Sequence, residues 1–293
     1  MPLPELHYHE IRTTISALHV YLQIVGKIKQ EKMPAVSHHE HLALFVSGRG
    51  LTTGLMPGGV EISIDILEQV VRLVGTNGRV RAIDLSGTSP HTFQSALTDG
   101  LDYLGTGTSL DEASPTAEEE ADEYDGGVSR RVFKAWAGIQ EALLRFRGGF
   151  SGHTGEVTLD WTTMNLGLTL YSGNSAGSSG ELDELDEQAF SEEQFSCGFA
   201  LGDELEPEPY FYAWMHPSVH AIEGDLRPSG AKWDDERSRA TLVYRALAPR
   251  TDWLSALGGF YESAYLGQAK VARWDLQGLN YTSPLKDGSY DDG

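Results

Sequence analysis

One cysteine stands in 293 residues. Cys197 therefore has no internal disulfide partner, which points to a reducing compartment. Its setting, QFSCGFALG, is apolar and strand-like and lacks the positive charge that activates a thiol, so a buried structural residue is expected. Positive charge is scarce throughout: 22 Lys and Arg face 43 Asp and Glu, for a formal net charge of −21 and a pI near 4.7. Such a field repels phosphate backbones and anionic membrane surfaces, so no nucleic-acid or membrane partner is expected. No apolar run reaches the ~18–20 residues of a membrane span. The opening MPLPELHYHEIRTT has neither the basic nor the apolar region of a secretory leader. A soluble, cytoplasmic protein is the expectation.

Cofactor motifs are missing as well. GTNG (75–78) and GTGT (105–108) lack the lysine and spacing of a phosphate loop. GGFSGHTG (148–155) approaches the Gly-x-Ser-x-Gly elbow, but His153 takes the last glycine position and the context runs helix to strand, the reverse of the elbow. Ser151 beside His153 has no orienting acid or oxyanion donors that can be named. No cofactor is expected.

What is present is a globular composition, 40% hydrophobic and 10% aromatic, enough to bury a real core. The acidic excess concentrates in DEASPTAEEEADEYD (111–125), ELDELDEQAFSEE (181–193) and GDELEPE (202–208), runs that read as solvated loops. The chain is expected to form a single globular unit over 1–293 with related halves at 12–105 and 124–275. An acidic linker (106–123), a flexible insert (173–193) and a disordered tail (282–293) complete the plan.

Period-two alternation predicts a first strand in LHVYLQIVGKI (18–28), with Leu18, Val20, Leu22, Ile24 and Ile28 inward. HLALFVSGRGLTT, VEISIDI and RVRAIDL follow as strands, the last bounded by the GTNG turn. A helix starts near Pro90. Another covers 128–149, where Val132, Trp136, Ile139, Leu143 and Phe146 form one apolar stripe closed by Gly148 and Gly149. Asp125 or Ser129 would cap it. The second half offers strands in EVTLDW, LGLTLYSG, FSCGFALG, YFYAWMH and ATLVYRAL, then a closing helix from Thr251. SPHTFQSALTDGLDYLG (89–105) and APRTDWLSALGGFYESAYLG (248–267) echo one another, either as similar amphipathic helices or as a duplicated unit. The fold class is α+β: antiparallel β-sheets covered by helices, the duplication giving two pseudo-repeated β-meander-plus-helix halves.

LHVYLQIVGKI, HHEHLALFVSGRGLTTG, YDGGVSRRVF, LTLYSG, YFYAWMHP and YESAYLGQAKVARWD resemble, in order, the landmarks of an uncharacterised bacterial tryptophan-rich family, a domain of unknown function. The resemblance runs from Leu18 to Trp274 and implies kinship with no established activity. It places His38 and His41 on the histidines of a His-Trp-Trp-His pattern, with His39 and Glu40 where relatives carry tryptophan. Thr158, Asn165 and Asn174 stand where relatives carry His, Asp and Arg, which implies that an acid–base site there is lost or moved.

The candidate chemistry starts at SHHEH (37–41). On a strand, 39 and 41 share a face and 38 and 40 the other, so the three histidines do not converge. His38, His41 and a carboxylate such as Asp65 would make a weak three-ligand metal set; a polar pocket or a solvated strand entrance are the other readings. Polar strand faces suggest a better constellation, with His19, Lys27, His41 and Arg49 around a small polar or anionic ligand. The alternative is a solvent-facing sheet laced by cross-strand pairs. In YFYAWMH, Tyr210, Tyr212 and Trp214 share one face, as a ligand platform, a subunit interface or a covered strand; Tyr212 and Trp214 are the candidate pocket walls. The expected function is small-molecule binding. A hydrolase, with metal assistance as one form of it, and a structural protein forming a homo-oligomer are the alternatives.

Overall fold

The structure, a computed structural model, describes residues 2–110, 124–177 and 184–280. The segments 111–123, 178–183 and 281–293 lie outside it, and with them most of the expected acidic linker and the whole of the expected tail.

The chain opens on a helix, α1 (Tyr8–Lys32), where a strand was expected over 18–28. Ile11, Thr14, Leu18, Tyr21, Val25 and Ile28 are all buried and recur at three- and four-residue spacing, which is helical periodicity. The eleven-residue window 18–28 reads as period-two only if Leu18, Val20, Leu22, Ile24 and Ile28 are counted and the buried Tyr21 and Val25, of opposite parity, are passed over. The longer span does not read so.

A five-stranded antiparallel meander follows in the order β1 (Phe45–Val46), β2 (Gly50–Met56), β3 (Val60–Asp65), β4 (Val70–Gly75), β5 (Val80–Asp84). Strand β4, VVRLVG, was not foreseen. Helix α2 (Pro90–Leu104) closes this half. Ser89 caps it by accepting from the Thr92 amide at 3.2 Å, Pro90 opens the first turn, and left-handed Gly105 ends it. Residues 106–110, expected as linker, are tied to the end of α1. Lys32 Nζ donates to the Gly107 carbonyl at 2.5 Å, and Thr108 Oγ1 donates to Glu31 at 2.6 Å.

The second half also runs helix, antiparallel sheet, helix. Helix α3 (Gly126–Arg147) is capped by Asp125, whose Oδ1 accepts from the amides of Gly127 (2.6 Å) and Val128 (3.0 Å). Gly148 ends it in a right-handed, not left-handed, conformation. Six strands follow: β6 (Thr158–Leu159), β7 (Leu166–Ser175), β8 (Glu192–Ala200), β9 (Tyr210–His216), β10 (Lys232–Asp234) and β11 (Arg239–Val243). They pair antiparallel in the order β10-β11-β9-β8-β7-β6. This sheet is not a pure meander, since β11 inserts between β9 and β10. The short α4 (Glu184–Ala189) lies between β7 and β8, so the described parts of the expected insert carry strand and helix. Helices α5 (Trp253–Val271) and α6 (Leu276–Leu279) finish the fold.

Helices α1 and α2 pack on the first sheet, α3 and α5 on the second, and α1 packs on α3. The sheets meet at one bridge, Leu44 N–H to Leu159 O at 2.9 Å and Leu159 N–H to Leu44 O at 2.8 Å. One apolar cluster runs through both halves, with Trp136, Tyr21 and Phe260 among its fully buried members. Among the described residues no helix is long and apolar enough to cross a membrane.

Candidate functional site

Strand alternation divides the second sheet. Leu168, Cys197, Phe211 and Ala213 turn toward the helices and are buried. Gly167, Thr169, Tyr171, Ser196, Tyr212 and Trp214 have the opposite parity and line a cavity of about 620 Å³. That volume is within the range of small-molecule sites, ~300–1,000 Å³. Its other boundaries are the 3-10 segment Ser37–Leu42 and the turn after β6, residues 160–165.

The floor depends on two glycines. Gly198 pairs with Tyr212 on one side and with Gly167 on the other. A Cβ on Gly198 would stand 2.6 Å from Tyr212 Oη and 2.2 Å from the Leu166 carbonyl oxygen; one on Gly167 would stand 3.1 Å from the same hydroxyl. Only with both side chains missing can the Tyr212 ring lie across β8 toward β7. A third glycine sets a wall: a Cβ on Gly26 of α1 would fall 2.1 Å from the Trp161 ring, so Trp161 packs flat against that helix. Trp214 and Phe45 supply further aromatic surface.

The histidine cluster forms a tight turn. His38 (φ 61°) and His39 (φ 56°) both adopt the left-handed region, an arrangement that costs of order 1–3 kcal/mol per residue for non-glycine side chains and recurs at functional sites. It puts His38, His39 and Glu40 on the cavity and leaves His41 off it. His38 Nδ1 donates to the Ala189 carbonyl at 2.9 Å, which leaves Nε2 4.0 Å from Glu192. Its ring lies tilted against Tyr171 (4.3 Å), which in turn stacks on His153 (4.7 Å). His39 Nε2 is buried and has no hydrogen-bond partner among the described residues.

Four charged groups besides the histidines face the cavity. Glu156 is held by Arg147 (2.7 and 3.0 Å). Arg239 forks onto Glu206 (2.6 and 2.8 Å), donates to the Tyr210 hydroxyl (3.2 Å) and stands 5.1 Å over the Tyr210 ring. Asp160 accepts from the Thr162 amide and hydroxyl (both 2.7 Å) and from the Thr163 hydroxyl (2.9 Å). Glu40 and Asp160 make no ion pair among the described residues. Burial, reinforced by Glu40 and Glu192, pushes the Tyr171 phenol well above its ordinary pKa. Burial does the same at Tyr212, with Cys197, Tyr210 and Asp160 adding to it. Both phenols therefore stay protonated well into the alkaline range.

Of the candidates read from sequence, Tyr212, Trp214 and His38 line this cavity; the others do not. Because 18–28 is helix, His19 and Lys27 leave the proposed strand face. His19 Nε2 donates to the Thr162 carbonyl at 2.9 Å, which braces the 160–165 turn from behind. His41 is buried and accepts from the Val36 amide at 3.1 Å; burial, with nearby His39 and Lys29, holds its pKa down. Arg49 lies on the first sheet, where it and Arg72 both bond Asp65 Oδ2 at 2.6 Å. That sheet's outer face is laced by cross-strand pairs, Thr52 to Glu61 at 2.6 Å among them. His38, His41 and Asp65 thus hold three separate sets of partners. Among the described residues no group of three His, Cys, Asp or Glu is placed to hold a metal ion.

Sequence reading missed Asp160, Tyr171, Thr169, Ser196 and Arg239 as site residues. The parity of β7 and β8 relative to Tyr212 was the available signal for Thr169, Tyr171 and Ser196. Nothing local marks Arg239, which arrives from β11.

Residues 3–281 match the model of a family of unknown function (DUF5996), and the chain belongs to that family. Searches of curated proteins and of solved structures find no match.

Proposed function

We propose that this protein binds a small polar molecule in the cavity on the outer face of its second sheet. The observation that carries the reading is the floor: Tyr212 laid over Gly198 and Gly167, a construction that clears about 620 Å³ beside Trp161 and Trp214. Polar side chains line that space, Thr169, Ser196, Tyr171 and Tyr212 among them. An anionic ligand, one of the expectations from sequence, loses its support. Arg49 is committed to Asp65 and Glu68 on the other sheet, and Arg239, the sole Lys or Arg among the described lining residues, is committed to Glu206. The metal-assisted hydrolase reading has no converging ligand set to rest on among the described residues.

A thermal-shift screen of polar metabolites against the wild type and Thr169→Trp tests the proposal. The indole would fill the cavity from its outer face without touching the core. A ligand at ~100 Kd stabilises by ~2.7 kcal/mol, about 4 °C for a chain of this size. Compounds that raise Tm in the wild type are expected to do nothing for Thr169→Trp. Equal shifts in both proteins, or no hit at all, would overturn the reading.

A further inference from the structure

The cavity joins aromatic faces to carboxylates that no cation neutralises among the described residues. Glu156 is balanced by Arg147 and Arg239 by Glu206, which leaves Glu40 and Asp160 as the uncompensated charges of the lining. They enter from different elements, Glu40 from the Ser37–Leu42 turn and Asp160 from the end of β6. Each lies near one phenol, Glu40 by Tyr171 and Asp160 by Tyr212. The site already holds one cation by this chemistry: the Arg239 guanidinium sits over the Tyr210 ring at 5.1 Å, inside the ~6 Å reach of a cation–π contact. The net charge of −21 adds a field that draws cations and repels anions.

Resting on the cavity being a binding site, we infer that its ligand is a small organic cation, an amine or quaternary ammonium compound, with the charged head between Glu40 and Asp160 and its body on Tyr212 and Trp214. The chemistry is a contact of charge with π-face and carboxylate, and no bond is made or broken.

Choline and its uncharged carbon isostere, 3,3-dimethylbutan-1-ol, separate charge from shape, and glucose supplies a neutral polyol. Binding is read by NMR at the indole N–H groups of Trp161 and Trp214. Choline is expected to shift these signals at a concentration at least 10-fold lower than the isostere or glucose. Glu40→Gln and Asp160→Asn are each expected to weaken choline by about 10-fold. Glu40 is exposed and makes no hydrogen bond among the described residues, so Glu40→Gln tests charge with the fold intact, whereas Asp160→Asn also disturbs the Thr163 bond. Equal binding of choline and the isostere, tighter binding of glucose, or indifference to Glu40→Gln would overturn the cation inference and leave the cavity reading standing. No response at either indole to any of the three probes, together with an empty thermal-shift screen, would overturn both.

Discussion

Lys29 is a cation held in the wrong solvent. It projects from α1 into the protein, 1% exposed; its ammonium donates to the Ala43 carbonyl and lies 4.7 Å over the Phe45 ring. Burial lowers its pKa from 10.5 to about 8. At 1.36 kcal/mol per tenfold change in proton affinity, that fall corresponds to about 3 kcal/mol. Between pH 8 and 10.5 the unfolded chain holds this proton and the folded chain does not. The unfolded state therefore binds more protons, and stability rises with pH across that window. Below pH 8 both states are protonated and the folded protein carries the full cost of the buried charge.

Lys29→Met keeps the length and apolar stem and removes the charge. At pH 7 it relieves the desolvation of the ammonium but leaves the Ala43 carbonyl without its donor, a loss of ~1–3 kcal/mol. The two nearly cancel, so the variant is expected within about 2 kcal/mol of the wild type at pH 7. The separation comes with alkali. Wild-type stability should gain up to about 3 kcal/mol on the variant between pH 8 and 10.5. Denaturant unfolding of both proteins at pH 7, 8, 9 and 10 gives the difference, in which the tyrosines common to both cancel. A difference that stays flat from pH 7 to 10 would show that Lys29 is hydrated, and the buried-ammonium reasoning would fall.

Two further outcomes follow from the described contacts. Gly198→Ala should cost about 1–3 kcal/mol, as overpacking does, because its Cβ meets the Leu166 carbonyl oxygen and Tyr212 Oη; it should also abolish any ligand-induced Tm shift, and retained binding would show that the floor is dispensable. At Asp65, burial pushes the carboxyl up, but bonds from Arg49, the Glu68 amide and Arg72 outweigh it and the pKa lies below 3.8. Asp65→Asn should therefore lose about 1–3 kcal/mol at pH 7. The wild-type advantage should shrink as pH falls below about 4, where the carboxylate takes up its proton, and leave ligand binding unchanged; an advantage undiminished at pH 2 would contradict it.

The sheets and three long helices were legible because their patterns are long and uninterrupted. Val60, Ile62 and Ile64 alternate cleanly, and α3 carries its stripe from Val132 to Phe146, about four turns. Helix α1 was misread in the window 18–28, since Leu18, Leu22 and Ile28 serve both periods; Tyr21 and Val25 inside it, and Ile11 and Thr14 before it, fit the helix alone. That single misreading moved His19 and Lys27 onto a face they do not share with Arg49. Strand β4 was missed for the opposite reason: VVRLVG is short and near-continuously apolar, a pattern that alone does not separate strand from helix.

The site divides along the same physical line. Tyr212 and Trp214 were readable because one strand fixes their common parity, and parity is a local property. Glu40 was unreadable because its direction depends on His38 and His39 holding left-handed dihedrals, which no periodicity announces. Were 37–42 extended, Glu40 and His38 would point together and His39 would join His41. In the turn, His38, His39 and Glu40 all reach the cavity and only His41 is turned away, beside Lys29. The strain in that turn therefore has a consequence that packing alone does not require: it delivers three adjacent polar side chains to one space. A position that only had to stay folded would be served as well by glycine at 38 or 39, so the histidines there are better explained by what they face than by how the chain turns.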